Sequence, residues 1–181
     1  MKFGPDHIVF TSYEFPWASV YPHGVLRAED IRDAYVEAGP LEIRTRSGET
    51  LFVAIDDKAG LAEFCERHSI PLVRRLDVWS NLLDPFLDTE FSPAEEAATD
   101  ARLRGVGLSQ ESIDSIRDRV GPLMRSYNFD SMLWEWADLG LFDFLKALNG
   151  TLVDPALPAT LGDPAEVYRW AMEIADSPER S

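Results

Sequence analysis

The stretch 76–101 contains no Lys or Arg, and the first four of its acidic side chains form a candidate site. They are Asp77, Asp84, Asp88 and Glu90. On one continuous helix Asp84 and Asp88 would share a face, as a pair of oxygen ligands for Mg²⁺ or Ca²⁺, or a general acid–base pair, requires. Pro85 disfavours that helix, because proline tends to start a turn, and it would make Asp84 a helix cap. We therefore interpret these residues as caps and solvated carboxylates, with no metal and no cofactor.

A second candidate is Cys65 with His68, three residues apart on the apolar face of a predicted helix over 58–69. Such a pair could activate a thiol or ligate a metal, but a buried thiol beside a histidine bonded to backbone is the commoner arrangement, and we favour it. The chain has no GxGxxG, GxxxxGK[ST], GxSxG or CxxC motif. An enzyme is therefore disfavoured, although a hydrolase built on scattered Asp and Glu side chains stays an alternative.

A third candidate is the segment 131–148, which is apolar on almost every side if it forms one helix. Its polar stripe would consist of Glu135, Asp138, Asp143 and Lys146. Leu139 and Phe142 fall inside this stripe and Trp134 lies at its edge. We favour a central helix that neighbouring helices bury, with Gly140 as a possible break. The alternative is that the side with Trp134, Leu139 and Phe142 is covered by the N-terminal sheet or by a second subunit in a homodimer.

Charge is divided unevenly along the chain. Residues 1–75 carry 12 Asp and Glu against 9 Lys and Arg, whereas residues 76–181 carry 20 against 8. The second part thus has a net charge of −12 out of −15, and it also holds four of the five Trp. This combination predicts a packed interior beneath an acidic surface. Such a surface favours a basic protein partner and disfavours nucleic acid and anionic membranes.

Strand signals dominate the first part of the chain. Residues 7–13 are β-branched and aromatic, and 41–45 and 50–55 flank a turn at 46–49 that contains Gly48, which predicts a hairpin. The segment 28–38 fits either a helix or a third strand.

Helix signals dominate from Pro71 onward. Ser92 and Asp163 are predicted N-caps, each followed by Pro and then by Glu at the third helical position. The helix that starts at Ser109 is expected to break at Gly121–Pro122, and 151–162 is expected to be an extended connector.

Together these patterns predict an α+β protein. A small N-terminal antiparallel sheet with one packed helix, 1–72, precedes an all-helical region of about five helices, 73–181, and the two parts are expected to pack as one compact unit. Because no apolar run suits a signal peptide or a membrane span, we expect a cytoplasmic protein. The function we expect is a non-enzymatic interaction or regulatory protein that presents its acidic helical region to a basic partner.

The capping interpretation predicts that millimolar Mg²⁺ or Ca²⁺ leaves the melting temperature nearly unchanged. A metal bound only to the folded state at about 100 times its dissociation constant would add roughly 2.7 kcal/mol, a shift of several degrees. A shift of that size in differential scanning fluorimetry, abolished by Asp88→Asn, would overturn the interpretation and support the hydrolase.

Overall fold

The computed structural model describes residues 1–87, 92–130 and 138–177, with only the backbone of Phe129 and Asp130. The chain divides into two compact units, Met1–Arg75 and Leu76–Ser181. The first unit contains all the described strands and the second contains helices only, which confirms the predicted α+β class with its strands before its helices. No described helix is long and apolar enough to cross a membrane.

The first unit contains two three-stranded antiparallel sheets rather than one. The first sheet consists of β1 (Lys2–Phe3), β2 (His7–Phe10) and β3 (Gly24–Arg27), in that order. The second consists of β4 (Ile31–Tyr35), β5 (Leu41–Thr45) and β6 (Thr50–Val53). Helix α1 (Lys58–Arg67) follows and buries Leu61, Phe64 and Cys65, so the predicted single packed helix is present.

The predicted hairpin is confirmed by β5 and β6, in which Leu41 pairs with Val53 and Ile43 with Leu51. Gly48 has a φ of 88°, a conformation that glycine adopts without steric cost, and it closes the turn. The ambiguous segment 28–38 forms a 3-10 turn (Ala28–Asp30) and then strand β4, which pairs with β5. The strand alternative is therefore correct there, because β4 completes the sheet that the hairpin begins.

Tyr13 joins the loop after β2 to the second sheet. Its phenol oxygen accepts a hydrogen bond of 2.9 Å from the backbone N–H of Phe52, in strand β6. The ring contacts Phe10 and Phe15 edge-on, and Phe15 meets Phe52 in the same way. Tyr13 is buried, and that burial raises the pKa of its phenol well above the usual range. The buried N–H of an edge strand is thus satisfied by a side chain instead of a neighbouring strand.

Six helices form the described part of the second unit. They are α2 (Val78–Leu83), α3 (Pro93–Gly105), α4 (Gln110–Asp130), α5 (Leu141–Leu148), α6 (Ala156–Thr160) and α7 (Pro164–Ala175). The predicted caps are confirmed: Ser92 forms a capping box with Glu95, and the carboxylate of Asp163 accepts from the Glu166 N–H. The extended connector predicted over 151–162 is wrong, since α6 lies within it.

Helix α4 runs through Gly121 and Pro122, where the sequence predicts a break. Pro122 is exposed, so the carbonyl that loses its helical partner there lies on the solvent side. Gly121 is buried, and a Cβ atom at this position would lie 3.1 Å from the Phe86 ring. The glycine therefore serves a close helix contact rather than a helix end, and packing outweighs the local propensity of the pair.

The segment 131–148 does not form one continuous helix, because residues 138–140 are irregular. Gly140 is the N-cap of α5, and its N–H donates to the carboxylate of Asp143. The expected boundary at Gly140 is confirmed, since α5 begins directly after it. The residues 131–137 of that predicted helix lie outside the described part of the chain.

Trp79 is the centre of the helical core. Its ring is stacked on Phe144 of α5 at 4.6 Å between centroids and meets Trp170 of α7 edge-on at 5.8 Å. The indole N–H donates to the carbonyl of Ala171 at 3.0 Å. Only 1% of this residue is exposed. One side chain on the short helix α2 thus positions both α5 and α7.

Removing the Tyr13 hydroxyl should destabilise the protein. Tyr13→Phe leaves the Phe52 N–H buried without an acceptor, which costs about 1–3 kcal/mol of unfolding free energy. The matched control is Tyr21→Phe, because Tyr21 is 44% exposed, and it should have almost no effect. Urea unfolding of both variants measures the difference. Equal midpoints for the two variants would contradict the role assigned to the hydroxyl.

Candidate functional site

The structure places the predicted acidic cluster partly in helix caps. The carboxylate of Asp77 accepts from the Ser80 N–H and caps α2. Asp84 opens a 3-10 turn (Asp84–Phe86), and its carboxylate accepts from the Thr99 hydroxyl of α3 at 3.1 Å. Asp88 and Glu90 lie outside the described residues. Among the described residues no group of three or more His, Cys, Asp or Glu side chains is arranged to hold a metal.

Two carboxyl groups have raised pKa values, one directly after the end of α2 and one in the first turn of α5. Burial raises the pKa of Asp84, and the charge of nearby Asp138 raises it further. Burial likewise raises the pKa of Asp143, again with a smaller contribution from Asp138. Asp143 accepts hydrogen bonds from the Gly140 N–H and, at 3.4 Å, from the Tyr127 hydroxyl, so its carboxylate joins α4 to the start of α5. The hydrogen bonds of these two carboxyl groups therefore connect elements of the fold.

The predicted interaction residues occupy different environments. Leu139 is only 2% exposed, so the chain itself covers it. Phe142 is half-buried, and the ammonium nitrogen of Lys146 lies 5.6 Å from its ring centroid. Trp134 lies outside the described residues. Of the three, only Phe142 is a described residue with surface exposure.

Cys65 and His68 are arranged as a structural pair. The thiol is fully buried, and that burial raises its pKa to about 11, which disfavours the reactive thiolate. Because a carbonyl only accepts, His68 Nε2 donates to the carbonyl of Pro5, at 2.8 Å. The centroid of the His68 ring lies 4.5 Å from that of the Phe64 ring. The sulfur is thus neither activated nor exposed.

A surface groove lies between α4 and α7 in the helical unit, with a volume of about 400 Å³. Its apolar lining comes from Leu108, Ile116, Trp170 and Ile174. Ser112 and Ser115 of α4 add hydroxyls, and Arg119 and Glu173 add charge. The edge contact with Trp79 orients the Trp170 ring, so the lining of the groove is anchored in the core.

Arg119 covers part of this lining. Its guanidinium carbon lies 4.3 Å from the Trp170 ring centroid, and its Nη2 donates to the carbonyl of Leu161 at 2.9 Å. A cation above an aromatic face is held by the electron density of the ring. The positive charge inside the groove is therefore held by an aromatic ring and a backbone carbonyl.

Acidic side chains flank the groove on both helices. Glu111, Asp114 and Asp118 follow one another at helical spacing on α4, and all three are exposed; we call them the α4 acidic row. Glu166 and Glu173 share a face of α7, with Arg169 between them. Glu111 and Asp118 form no hydrogen bond or ion pair with any described residue. The flanks thus hold more negative than positive charge.

Four arginines of this unit bind groups other than the flanking carboxylates. Arg102 donates to the Asn81 side-chain oxygen at 2.8 Å and Arg104 to the Gln110 side-chain oxygen at 2.7 Å. Arg125 lies over the Phe86 ring at 5.2 Å. None of these three, nor Arg119, forms an ion pair with a described carboxylate. Arg117 differs, since it pairs with Asp100 at 2.8 Å.

A comparison of the chain with protein-family models, with curated proteins and with solved structures found no match.

The groove was not among the sequence candidates. The charge count pointed to this part of the chain, and the spacing of Glu111, Asp114 and Asp118 was visible in the sequence as a helical face. What remained hidden is that carbonyls, amides and rings bind the arginines of this unit. Pairing with a nearby carboxylate is the usual arrangement for arginine, and in this unit Arg117 has it while Arg102, Arg104 and Arg119 do not.

The raised pKa of Asp84 predicts a stability that depends on pH. The folded protein keeps this proton to a higher pH than the unfolded chain, whose value is near 3.8. The contribution of Asp84 to stability is therefore greatest in acid and falls as the pH rises from that value through the folded pKa. Asp84→Asn keeps an acceptor for Thr99, so we expect it to raise the melting temperature at neutral pH more than in acid.

The control for this experiment is Asp118→Asn, which removes an exposed carboxylate with no described contact. It should change the melting temperature little at either pH, as surface substitutions usually do. Thermal unfolding followed by circular dichroism measures both variants. If Asp84→Asn raised the melting temperature no more at neutral pH than in acid, the charged form of this carboxylate would not be destabilised by its burial, and the prediction would be wrong.

Proposed function

We propose that this protein is a non-enzymatic interaction protein whose acidic helical unit binds a basic amphipathic segment of another protein in the α4–α7 groove. The observation that carries the proposal is an apolar lining flanked by unpaired carboxylates. A bound helix would place apolar side chains in the groove and Lys or Arg side chains against the flanks. The cytoplasm is the compartment in which we place this interaction.

The apolar residues of the groove support binding through burial. Trp170 is half-buried, and aromatic rings with Arg neighbours are enriched where protein interfaces derive their binding energy. Burying apolar surface contributes about 25 cal/mol for each Å² removed from water. A short segment that covers Trp170 and Leu108 would therefore gain more from the lining than from the acidic flanks, since exposed ion pairs contribute only about 0–1 kcal/mol each.

The flanks contribute selectivity and association rate. The net charge of −12 over residues 76–181 attracts cationic surfaces from a distance and repels nucleic acid and anionic lipid. Because Arg119 is bound by a ring and a carbonyl, a partner's basic side chains meet the α4 acidic row without a described arginine paired to it. A basic protein partner is therefore favoured over a second copy of this acidic chain.

The competing function is a hydrolase that uses Asp and Glu for acid–base catalysis. One observation favours it: raised pKa values are common among catalytic acids, and Asp84 and Asp143 both have them. However, burial is the largest cause for both, and each carboxylate accepts hydrogen bonds that join elements of the fold. We therefore place the function at the groove.

The proposal predicts binding of a synthetic amphipathic helix of Lys and Leu by the full chain, measured by isothermal titration calorimetry. Glu111→Gln/Asp118→Asn should weaken this binding about three- to tenfold, because each lost ion pair contributes up to about 1 kcal/mol and 1.4 kcal/mol corresponds to a factor of ten. Neither residue makes a described contact, so the fold should be unaffected. The intrinsic fluorescence should change as the peptide covers Trp170.

Asp56→Asn/Glu66→Gln is the matched control, because it removes one exposed Asp and one exposed Glu from the first unit. It should leave the affinity nearly unchanged. An equal loss in both double variants would mean that net charge alone attracts the peptide. Equal binding of a peptide with Glu in place of Lys would exclude the acidic flanks from recognition.

A further inference from the structure

The first unit contains a cavity of about 360 Å³ where four segments of the chain meet. Its lining includes Arg27, at the end of β3, Arg32 of β4 and Arg46 in the turn between β5 and β6. His68 and the residues that follow α1 complete the wall. In a chain with a net charge of −15, a cavity with three arginines is a local reversal of sign.

Backbone and side-chain hydrogen bonds hold these segments in place. The Ala28 N–H donates to the Asp6 carbonyl at 3.0 Å, and the Arg46 N–H donates to the Asp30 carbonyl at 2.8 Å. Arg46 Nε donates to the carbonyl of Glu29 at 2.8 Å. The side chain of His68 is held by the Pro5 carbonyl. The wall is therefore built by contacts within the fold.

Two of the three guanidinium groups keep donors available. The side chain of Arg27 is exposed and forms no hydrogen bond or ion pair with a described residue. Arg46 uses only Nε, so its two terminal nitrogens make no hydrogen bond with any described group. Arg32 donates to Asp33, whose two carboxylate oxygens also receive both Nε and Nη2 of Arg44, at 2.7 and 2.8 Å. One carboxylate thus serves two guanidinium groups.

Negative groups in the wall only partly balance this charge. The lining contains two carboxylates, Asp6 and Glu29, against three arginines. Asp6 Oδ1 forms a hydrogen bond of 2.7 Å with His7 Nδ1, and this bond is the main cause of its lowered pKa. The Arg27 charge contributes a smaller part of that shift. The cavity therefore has a net positive lining.

We propose that this cavity binds a small soluble phosphomonoester. Arginine forks match the oxygens of a phosphate, which accepts two parallel hydrogen bonds from one guanidinium. The volume is near the lower limit of ligand pockets, roughly 300 Å³, and suits a phosphate with a small organic group. The acidity of the chain as a whole repels the many phosphates of a nucleic acid.

Glycerol 3-phosphate is the probe, titrated into the full chain and followed by calorimetry, with glycerol and sulfate as comparisons. Binding at millimolar concentration or tighter is expected, with glycerol inactive and sulfate weaker. Arg27→Gln should weaken binding at least tenfold, because a hydrogen bond to a charged group contributes about 1.5–3 kcal/mol. The Arg27 side chain makes no described hydrogen bond, and the substitution keeps the backbone pairing with His7, so it should not disturb folding.

Arg74→Gln is the matched control, because Arg74 is an exposed arginine of the same unit that does not line the cavity. It should bind glycerol 3-phosphate like the unmodified protein. The proposal fails if that protein does not bind the probe, if Arg27→Gln binds equally well, or if Arg74→Gln loses as much. Equal affinity for sulfate would reduce the cavity to a general anion site. A phosphoserine peptide that binds more tightly than glycerol 3-phosphate would make the ligand a protein segment instead.

Discussion

The packing of Trp79 is the interaction on which the helical unit depends. Its indole donates to Ala171, stacks on Phe144 and meets the edge of Trp170, so one side chain determines where α5 and α7 lie against α2. Trp170 in turn carries the Arg119 guanidinium on its face, which links α4 to the same cluster. Because large buried aromatic side chains contribute several kcal/mol each, this cluster is a major source of stability in the described part of the unit.

The charge pattern of the surface follows from that core. Arg119 is bound by the ring that Trp79 positions, and Arg117 turns inward, where it donates to the carbonyls of Asn81 and Leu82 as well as to Asp100. The positive side chains of α4 are therefore occupied by the fold, and the α4 acidic row keeps its charge towards solvent. In the first unit the signs are reversed: the carboxylate of Asp33 is bound within the fold by two guanidinium groups, while the positive side chain of Arg27 faces solvent. The hydrogen-bond partners within each unit thus add to the uneven division of charge along the chain, and they leave an acidic groove in one unit and a basic cavity in the other.

Sequence patterns predicted the parts of the fold that local chemistry determines. The hairpin formed where alternation and a glycine turn agreed, and the caps Asp77, Ser92 and Asp163 begin helices because their oxygens bind free N–H groups. Prediction failed where tertiary contacts outweighed local preference: Gly121 and Pro122 stay helical because Gly121 packs on Phe86. The acidic surface was predictable from charge counts. The groove was not, because its identity depends on which distant groups bind Arg102, Arg104 and Arg119, and no spacing rule encodes those partners.

The most direct test of this separation of charge needs no partner or ligand. Paired nitroxide cosolutes, one cationic and one anionic, enhance the relaxation of nearby amide protons in proportion to their local concentration, which the surface potential determines. Our account predicts that the cationic cosolute has the stronger effect at Ser112, Ser115 and Glu173 around the groove. It predicts the reverse order at Arg27 and Arg46 around the cavity. The same order at both places, following only the net charge of −15, would contradict it.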